Sequence, residues 1–278
     1  MNYRHAYHAG NFADVMKHSA LALVLDHLKQ KDKPFFVLDT HAGTGLTDLR
    51  GIEAQKTGEF RDGIARVLAE AHPHDALKPY LETLAALGCT GPAPALYPGS
   101  PLIAYQMARA DDRLAFCELH PDDAATLRAH FPRNPQARVH EIDGYTALKS
   151  MLPPKERRGL ILIDPPFEAR DEFDRLAREL DAALKRFATG TYMIWYPVKD
   201  PSLSGAFLDH MERNGPPKTL RAELFIRATD PATMSGCGLL IINPPWQLDE
   251  TLTGLFTWLA NILKQGEGAR ARVDWLQK

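Results

Sequence analysis

The pattern of hydrophobic and polar positions is clearest in one short apolar run near the middle of the chain. Gly159–Ile163 is a run of five residues without helical or alternating periodicity, and it stops at the sequence Asp-Pro-Pro-Phe, residues 164–167. Such a run predicts a strand buried on both faces, as in the centre of a parallel sheet. Because proline cannot donate to a sheet ladder, the strand must end at Asp164. The pattern therefore places a carboxylate at the sheet edge where open α/β proteins bind their ligands.

Further apolar runs predict the other strands of this sheet. Residues 35–39 end at Asp39, residues 114–118 end at Glu118, and residues 138–144 carry Asp143 near their end. Acids on surface loops would rarely follow successive strands in this way. The remaining elements expected after Asp164 are a helix over 171–187, a strand over 191–196 ended by Pro197, another helix, and strands over 220–228 and 238–242.

Helical periodicity dominates two other parts of the chain. Asn11 precedes an apolar helical pattern that continues to Leu28, and it predicts the helix cap. Between residues 46 and 97 the strand pattern is absent, and residues 57–70 and 74–87 carry apolar side chains at helical spacing. We interpret 46–97 as an inserted helical subdomain, and 1–45 with 98–278 as the main domain. Removing this insertion restores the usual spacing of about 20 residues between a nucleotide-binding glycine turn and the acid that binds ribose.

A second stretch mimics the first one closely. Residues 238–242 are apolar and are followed by Asn-Pro-Pro-Trp, residues 243–246. The connection before them, residues 229–235, is too short and polar for a helical crossover, so this strand should lie antiparallel to its predecessor. Its carboxyl end would then face away from the ligand-binding edge, and we assign the site to Asp164 rather than Asn243. The predicted fold is α/β and Rossmann-like, with a mostly parallel sheet, an antiparallel last strand and an inserted helical subdomain.

Composition narrows the class of protein. The 278 residues are 45% hydrophobic and 24% charged, which is typical of globular proteins and excludes disordered and fibrous classes. The first residues lack an apolar signal segment, and no run approaches the roughly 20 apolar residues of a membrane span. We therefore expect no membrane association and a cytoplasmic location. Three cysteines without a C-x-x-C pair favour reduced thiols. The net charge of −2 gives no global sign of nucleic-acid binding, so RNA would need a local patch.

The Asp-Pro-Pro-Phe sequence matches a signature of methyltransferases that modify exocyclic or amide nitrogens with S-adenosylmethionine. The N6 amine of adenine is a poor nucleophile because its lone pair is delocalised, so a catalyst gains by accepting hydrogen bonds from it. The carboxylate of Asp164 and the carbonyl of Pro165 would accept these bonds. Phe167 would stack on a flipped-out base. The alternative interpretation is that the prolines only end a strand and that Phe167 belongs to the core.

The first predicted strand runs into a glycine-bearing turn, residues 40–45, of the kind that lets backbone approach a nucleotide. We assign Gly43 of this turn to the cofactor. His41 is unusual in such a turn, and from the turn alone it would be a solvent-facing loop residue. Position 48 is Asp, where a dinucleotide fingerprint needs a third small residue, and this disfavours an NAD oxidoreductase. Glu118 is placed to accept both ribose hydroxyls, and Asp143 to bind the cofactor adenine.

The N-terminal residues 3–18 are dense in histidine, aromatic and basic side chains. Tyr3, Arg4 and His5 would form an arm that reaches a base and its phosphates. His5 and His8 have a spacing compatible with a metal, but no other ligand cluster supports one, and we assign none. We also hypothesise an RNA-contacting patch at the mouth of the site, and its members are Arg4, His5, Lys17, Lys155, Arg157 and Arg158.

Motifs along nearly the whole chain carry a family resemblance. They are Tyr-Arg-His-x-x-His-Ala-Gly-Asn at 3–11, Lys17-His18, Leu-Asp-Thr-His-Ala-Gly at 38–43, Tyr-Pro-Gly-Ser-Pro at 97–101, Glu-Leu-His-Pro at 118–121, Asp143-Gly144 and residues 159–166. Together they resemble the bacterial 23S rRNA adenine-N6-methyltransferases of the RlmJ type. The resemblance implies a Rossmann-like enzyme that uses S-adenosyl-L-methionine to methylate one adenine of 23S rRNA, either protein-free or in an early assembly intermediate. It implies no obligate protein partner, and we expect a monomer.

The resemblance also implies roles for individual residues. Asp164 would be the catalytic acceptor, and Tyr3 would lie at the substrate entrance. Phe167 departs from the family, which often has Tyr there. Because stacking is the role assigned to this ring, loss of the hydroxyl should matter little. The residues implied as cofactor contacts are Lys17, His18, His41, Ser100, Glu118, Asp143, Gly144 and Asp164.

Alternatives of two classes stay open. Nothing in Asp-Pro-Pro-Phe separates an rRNA adenine from a DNA or tRNA adenine, the N2 of an rRNA guanine or a protein glutamine, so the choice of 23S rRNA rests on the resemblance. A nucleotide-binding regulator without chemistry belongs to a different class. The retained Asp164 disfavours it.

Overall fold

The computed structural model describes residues 5–199, 201–230 and 233–278. Its strands are β1 (Phe36–Asp39), β2 (Leu46–Asp48), β3 (Leu96–Pro98), β4 (Arg113–Cys117), β5 (Ala137–His140), β6 (Gly159–Ile163), β7 (Thr191–Val198), β8 (Thr219–Phe225), β9 (Gly236–Ile242) and β10 (Arg270–Gln277). Its α-helices are α1 (Phe12–Lys29), α2 (Ile52–Thr57), α3 (Ile64–Ala69), α4 (Lys78–Ala86), α5 (Ser100–Met107), α6 (Pro121–Ala129), α7 (Gly144–Met151), α8 (Glu172–Arg186), α9 (Pro201–Asn214) and α10 (Leu248–Ile262).

Eight of the strands form one sheet in the order β10-β8-β9-β7-β6-β1-β4-β5. β1 pairs parallel with β4 and β6, β4 with β5, and β6 with β7. β9 runs antiparallel between β7 and β8, which confirms the predicted antiparallel strand and the mostly parallel α/β fold. β10 extends the edge antiparallel to β8, and the sequence pattern did not predict it.

β6 is the central strand that its apolar run predicts. Leu160 and Leu162 pack into the hydrophobic cluster on one face of the sheet, and Ile161 and Ile163 pack into the cluster on the other face. From β1 the sheet extends to β4 and β5 on one side and to β6 and β7 on the other, so the strand order changes direction between β1 and β6. Ligands of open α/β sheets bind at such a switch point, outside the carboxyl ends of the strands.

Some predicted element boundaries were wrong. The strand expected over 138–144 ends at His140, and Asp143 instead caps α7. β7 continues through Pro197, because β6 has already ended and only β9 pairs with this part of the strand. The helix expected over 57–70 is broken by Gly58, which has a left-handed φ of 65°, and by Gly63.

The segment between the glycine turn and α5 is mostly helical, as expected. β2 and β3 pair antiparallel at its two ends and enclose α2, α3 and α4. Its apolar side chains, including Phe60, Ile64 and Tyr80, join the same hydrophobic cluster as Leu21 and Leu25 of α1. The division of the chain into two domains stays a prediction.

α1 begins as predicted, because the side chain of Asn11 accepts hydrogen bonds from the backbone N–H groups of Ala13 and Asp14. The helix packs against α4, α5, β6 and β9, which brings its first turns to the carboxyl end of β6. Within the described ranges, no helix is long and apolar enough to cross a membrane.

Candidate active site

Three of the acids predicted from strand ends meet at the carboxyl edge of the sheet. Asp39 ends β1, Asp164 follows β6 directly, and Glu118 follows β4. β6 and β4 are the two neighbours of β1 in the sheet, so the three side chains belong to adjacent strands. Their position coincides with the switch point at which a ligand is expected.

Lys17 of α1 reaches the predicted catalytic carboxylate. Its Nζ lies 2.5 Å from Oδ2 of Asp164 and 3.1 Å from Oδ1 of Asp14. Lys17 and Asp14 are both buried, whereas Asp164 keeps 19% of its side chain exposed. A buried ammonium group needs opposite charge close by, and here two carboxylates supply it. Lys17, which the resemblance implies as a cofactor contact, therefore belongs to the same ion-pair network as Asp164.

Asp14 is a site residue that the sequence did not reveal. Its Oδ2 accepts hydrogen bonds from Nε2 of His5, at 3.0 Å, and from the backbone N–H of Gly10, at 2.9 Å. The only signal in the sequence is its helical spacing, three residues before Lys17 and four before His18, which places the three side chains on one face of α1. Tyr3 and Arg4, the other members of the predicted RNA arm, lie outside the described residues.

Asp39 is a buried acid with two donors. Oγ of Ser100 donates a hydrogen bond to its Oδ2 at 2.6 Å, and the backbone N–H of His41 donates to its Oδ1 at 3.3 Å. Burial raises the pKa of the Asp39 carboxyl to about 6, although the Ser100 hydrogen bond and the charge of Lys17 lower it. Ser100, implied as a cofactor contact, thus also fixes the acid at the end of β1.

The glycine turn and Glu118 are joined by backbone hydrogen bonds at the carboxyl edge of the sheet. Gly43 has a φ of +62° and donates its backbone N–H to Oε2 of Glu118 at 2.9 Å, while the backbone N–H of His120 donates to Oε1 at 2.8 Å. Each carboxylate oxygen keeps a second lone pair that can accept from a ribose hydroxyl. A Cβ at Gly43 would meet no atom within 4 Å, so the turn is open where a ligand would approach its backbone.

Asp143 is held in place by α7 and α8. Its carboxylate accepts from the backbone N–H of Thr146 at 2.9 Å and pairs with Nη2 of Arg175 at 2.9 Å. Burial alone would raise the pKa of the Asp143 carboxyl, but these two partners outweigh it and hold the pKa below its usual value. Asp143 is therefore ionised at neutral pH, and its predicted contact with cofactor adenine would use lone pairs that these partners leave.

Gly144 is required by the close approach of α7 to the glycine turn. A Cβ at this position would lie 2.3 Å from the carbonyl oxygen of Thr40 and 2.9 Å from Cε1 of His41. His41 packs edge-on against the Tyr145 ring, with 5.6 Å between ring centroids. Burial lowers the pKa of His41 to about 4, so the imidazole is neutral at pH 7. His41 is half-buried and lies inside the predicted cofactor region rather than on a solvent-facing loop.

His18 lies in the core beside the site. Only 1% of it is exposed, its Nδ1 lies 2.8 Å from the hydroxyl of Tyr97, and the two rings are stacked. Burial lowers the pKa of His18 to about 3, so it is neutral at physiological pH. Its implied contact with the cofactor stays a prediction.

Phe167 is presented by an unusual backbone. Its φ of +49° lies in the left-handed region, which costs an L-residue about 1 kcal/mol or more. Its half-buried ring packs on Phe173 and Trp195, with centroid distances of 4.7 and 5.9 Å. Pro165 is buried. Phe167 therefore packs against core aromatic rings and stays partly exposed, three residues after Asp164.

Asn243 lies at the edge of the sheet opposite Asp164, because β9 runs antiparallel to β6. Its Nδ2 donates to the carbonyl oxygens of Ala188 and Gly190, at 2.9 and 2.8 Å. These bonds give Asn243 a structural role in fixing the loop before β7. Trp246, at the end of this second Pro-Pro sequence, is 83% exposed.

The hypothesis that Lys155, Arg157 and Arg158 border the mouth of the site was wrong. These residues precede β6 and therefore lie at its amino end, across the sheet from Asp164. The Arg158 guanidinium donates to the carbonyl oxygens of Lys33 and Leu28, which makes it a structural residue.

No group of three or more His, Cys, Asp or Glu side chains within 5–199, 201–230 and 233–278 is placed to hold a metal ion.

These features define an α/β protein of the Rossmann-like methyltransferase class. They are the sheet topology, the open glycine turn, the acids at successive strand ends and the Asp-Pro-Pro-Phe sequence at the switch point. Residues 32–277 match the family model described as "Ribosomal RNA large subunit methyltransferase D, RlmJ". The chain therefore belongs to the RlmJ family of ribosomal RNA large subunit methyltransferases.

Relatives that match nearly the whole chain agree with this assignment. Proteins named ribosomal RNA large subunit methyltransferase J from Escherichia coli K12 and Haemophilus influenzae are each 40% identical, over 277 and 278 residues that cover 99% of this chain and 99% of each relative. A crystal structure of a Legionella pneumophila protein superposes with a TM-score of 0.89 at 34% identity, covering 96% of this chain and 98% of that one.

Proposed function

We propose that this protein transfers the methyl group of S-adenosylmethionine to the exocyclic N6 amine of one adenine in 23S rRNA. Membership of the rRNA methyltransferase family supports the reaction class and the RNA substrate. The observation that carries the choice of an amine is Asp164-Pro165-Pro166-Phe167 at the carboxyl end of β6, beside the open glycine turn. Hydrogen-bond acceptors and an aromatic ring there match the needs of an adenine amine.

The residues around Asp164 would orient the amine and preserve its lone pair. An ionised Asp164 carboxylate can only accept hydrogen bonds, and the carbonyl of Pro165 provides a second acceptor. Because Lys17 engages Oδ2 of Asp164, the amine would meet Oδ1. Phe167 would stack on the base and hold the amine in line with the reacting carbon. The acceptors and the ring together fix a near-attack geometry without an acid or base of unusual strength.

The cofactor would lie across the glycine turn. Glu118 would accept hydrogen bonds from the ribose hydroxyls, and Asp143 would face the adenine of the cofactor. Gly43, whose N–H donates to Glu118, would let the backbone approach the cofactor. The hydrogen bond from Ser100 would hold Asp39 in place at the end of β1. S-adenosylmethionine supplies an electrophilic methyl group when it is bound. Melting curves with S-adenosylmethionine and with NAD would test this cofactor assignment, because only the true ligand raises the melting temperature.

The substrate would enter beside the N-terminal segment. We place His5 at the RNA side of the site because it is tied to Asp14, which in turn contacts Lys17. Tyr3 and Arg4 would extend from it towards the target base and its phosphates. Protein-free 23S rRNA, or an early assembly intermediate, would leave the adenine accessible for flipping.

Variants of Phe167 test the proposed stacking in a methyl-transfer assay with unmethylated 23S rRNA. Phe167→Tyr keeps the ring and should leave kcat/KM within about twofold. Phe167→Leu should lower it by about 5- to 160-fold, since stacking on one base is worth about 1–3 kcal/mol. Trp246→Leu, which removes an exposed aromatic ring at the opposite sheet edge, is the matched control and should leave activity unchanged. Equal activity of Phe167→Leu and the wild type would contradict the stacking role.

A further inference from the structure

We infer that Asp14 is a positioning residue for methyl transfer: it holds Lys17 against Asp164 and ties the N-terminal segment, residues 5–11, to the same ion pair. The inference deepens the proposed function and rests on it. Asp14 itself would touch neither the base nor the cofactor. It would act through Lys17 and through the docking of His5.

The two carboxylate oxygens of Asp14 contact different parts of the protein. Oδ1 faces α1 and lies 3.1 Å from Nζ of Lys17 and 3.9 Å from Nε2 of His18. Oδ2 faces the N-terminal segment and accepts from His5 and from the backbone N–H of Gly10, at 3.0 and 2.9 Å. One buried carboxylate thus joins the segment that precedes α1 to the side chain that contacts Asp164.

The electrostatics require Asp14 to be ionised. Only 2% of it is exposed, and burial by itself would raise the pKa of its carboxyl. The charges of His5 and Lys17 outweigh burial and hold that pKa well below its usual value. Asp14 therefore contributes a full negative charge, and Lys17 is not compensated by Asp164 alone. If Asp164 were the sole counter-ion, Lys17 would compete more strongly with the amine for its lone pairs.

Glu59 also holds the N-terminal segment, through contacts that do not involve Lys17. A Glu59 variant can therefore separate the docking of this segment from the positioning of Lys17. Glu59, in the inserted segment, lies 3.0 Å from Nδ1 of His8 and accepts from Nδ2 of Asn11 at 2.9 Å. The backbone N–H of Ile64 donates to the carbonyl of Gly10 at 2.8 Å. Removing Glu59 loosens the N-terminal segment without changing the counter-charge of Lys17, so Glu59→Gln and Asp14→Asn should have different signatures.

Among the described residues, charged and titratable groups from four elements act on Lys17. They include Asp14 and His18 on α1, Asp39 at the end of β1, Asp164 after β6 and Cys237 on β9. Asp14 and Asp164 both contact its ammonium group. Removing the Asp14 carboxylate should shift the titration of the Lys17 amine to lower pH by about one to three units.

The test compares Asp14→Asn with Asp26→Asn, which removes an exposed acid from the same helix. The first measurement follows the titration midpoint of the Lys17 amine by NMR in cofactor-free protein, and the second follows kcat and KM on 23S rRNA over a range of pH. For Asp14→Asn we expect the lower midpoint and a kcat reduced at least about tenfold, together with a raised KM for RNA, because His5 loses its ionised partner. Glu59→Gln should raise KM and leave the midpoint in place. Asp26→Asn should change neither.

Asp14→Glu guards against a folding defect, because it keeps the charge and displaces it by one methylene. It should restore the Lys17 midpoint and part of kcat. A wild-type midpoint in Asp14→Asn overturns the inference, whether kcat falls or not, and so does a wild-type kcat. If the wild-type protein does not methylate 23S rRNA, the proposed function fails, while the NMR midpoint still decides whether Asp14 positions the charge of Lys17.

Discussion

Replacing Asp39 with Asn should make the stability of the protein rise with pH relative to that of the wild type. Asp39 ends β1, is buried, and receives hydrogen bonds from Oγ of Ser100 and the backbone N–H of His41. Burial raises the pKa of its carboxyl from 3.8 to about 6. The folded protein therefore binds this proton more tightly than the unfolded chain does. The contribution to stability is full below about pH 4 and is lost as the pH rises through about 6.

The size of the effect follows from the shift. A change of about two units corresponds to about 3 kcal/mol, since one unit is worth about 1.4 kcal/mol. Asn is neutral at every pH and its carbonyl oxygen can still accept from Ser100. The free energy of unfolding of Asp39→Asn, relative to the wild type, should therefore rise by about 3 kcal/mol between about pH 4 and pH 8.

Two buried neutral histidines also make the stability of the wild type depend on pH. The quantity to measure is therefore the difference in the free energy of unfolding between Asp39→Asn and the wild type. Burial lowers the pKa of His18 to about 3 and that of His41 to about 4, so each contributes stability that is present above about pH 6.5 and lost as the pH falls. These contributions oppose that of Asp39 in the wild-type profile and cancel in the comparison with the variant. The assay is urea unfolding of cofactor-free protein across this range. A difference that stays constant within about 0.5 kcal/mol would refute the reasoning.

Two other substitutions separate the site from its mimic at the opposite edge. Gly144→Ala would place a Cβ 2.3 Å from the Thr40 carbonyl oxygen. It should therefore destabilise the fold by about 1–3 kcal/mol and weaken cofactor binding. An unchanged melting temperature and an unchanged cofactor affinity would contradict this. Asn243→Ala removes hydrogen bonds to Ala188 and Gly190 and should cost about 1–3 kcal/mol of stability, with methyl transfer intact below the melting temperature. A specific loss of methyl transfer would move the chemistry to Asn243.

The parts of the site that the sequence predicts depend on local rules. A continuous apolar run identifies β6 because both faces of that strand are buried, and its first proline marks where the carboxylate must lie. The polar connection before β9 correctly places Asn243 at the other edge, because it is too short to hold a crossover helix.

The parts that the sequence does not predict depend on contacts between distant residues. Asp14 looks like an ordinary first-turn acid, and its importance follows from the contact between Lys17 and Asp164, which are 147 positions apart. Position 63, where a helical pattern is interrupted, needs glycine because a Cβ there would lie 2.1 Å from the carbonyl oxygen of Gly10. Arg157 is close to Asp164 in sequence, but the intervening strand separates them by about 17 Å.

The most direct test of the account is methyl transfer from labelled S-adenosylmethionine to unmethylated 23S rRNA, protein-free and in assembled subunits, with DNA beside it. The account predicts label on protein-free rRNA, recovered as N6-methyladenosine, and its loss in Asp164→Ala. Label on DNA or on guanine would keep the mechanism at Asp164 and overturn the substrate. Label that survives in Asp164→Ala would contradict the central claim that this carboxylate holds the amine.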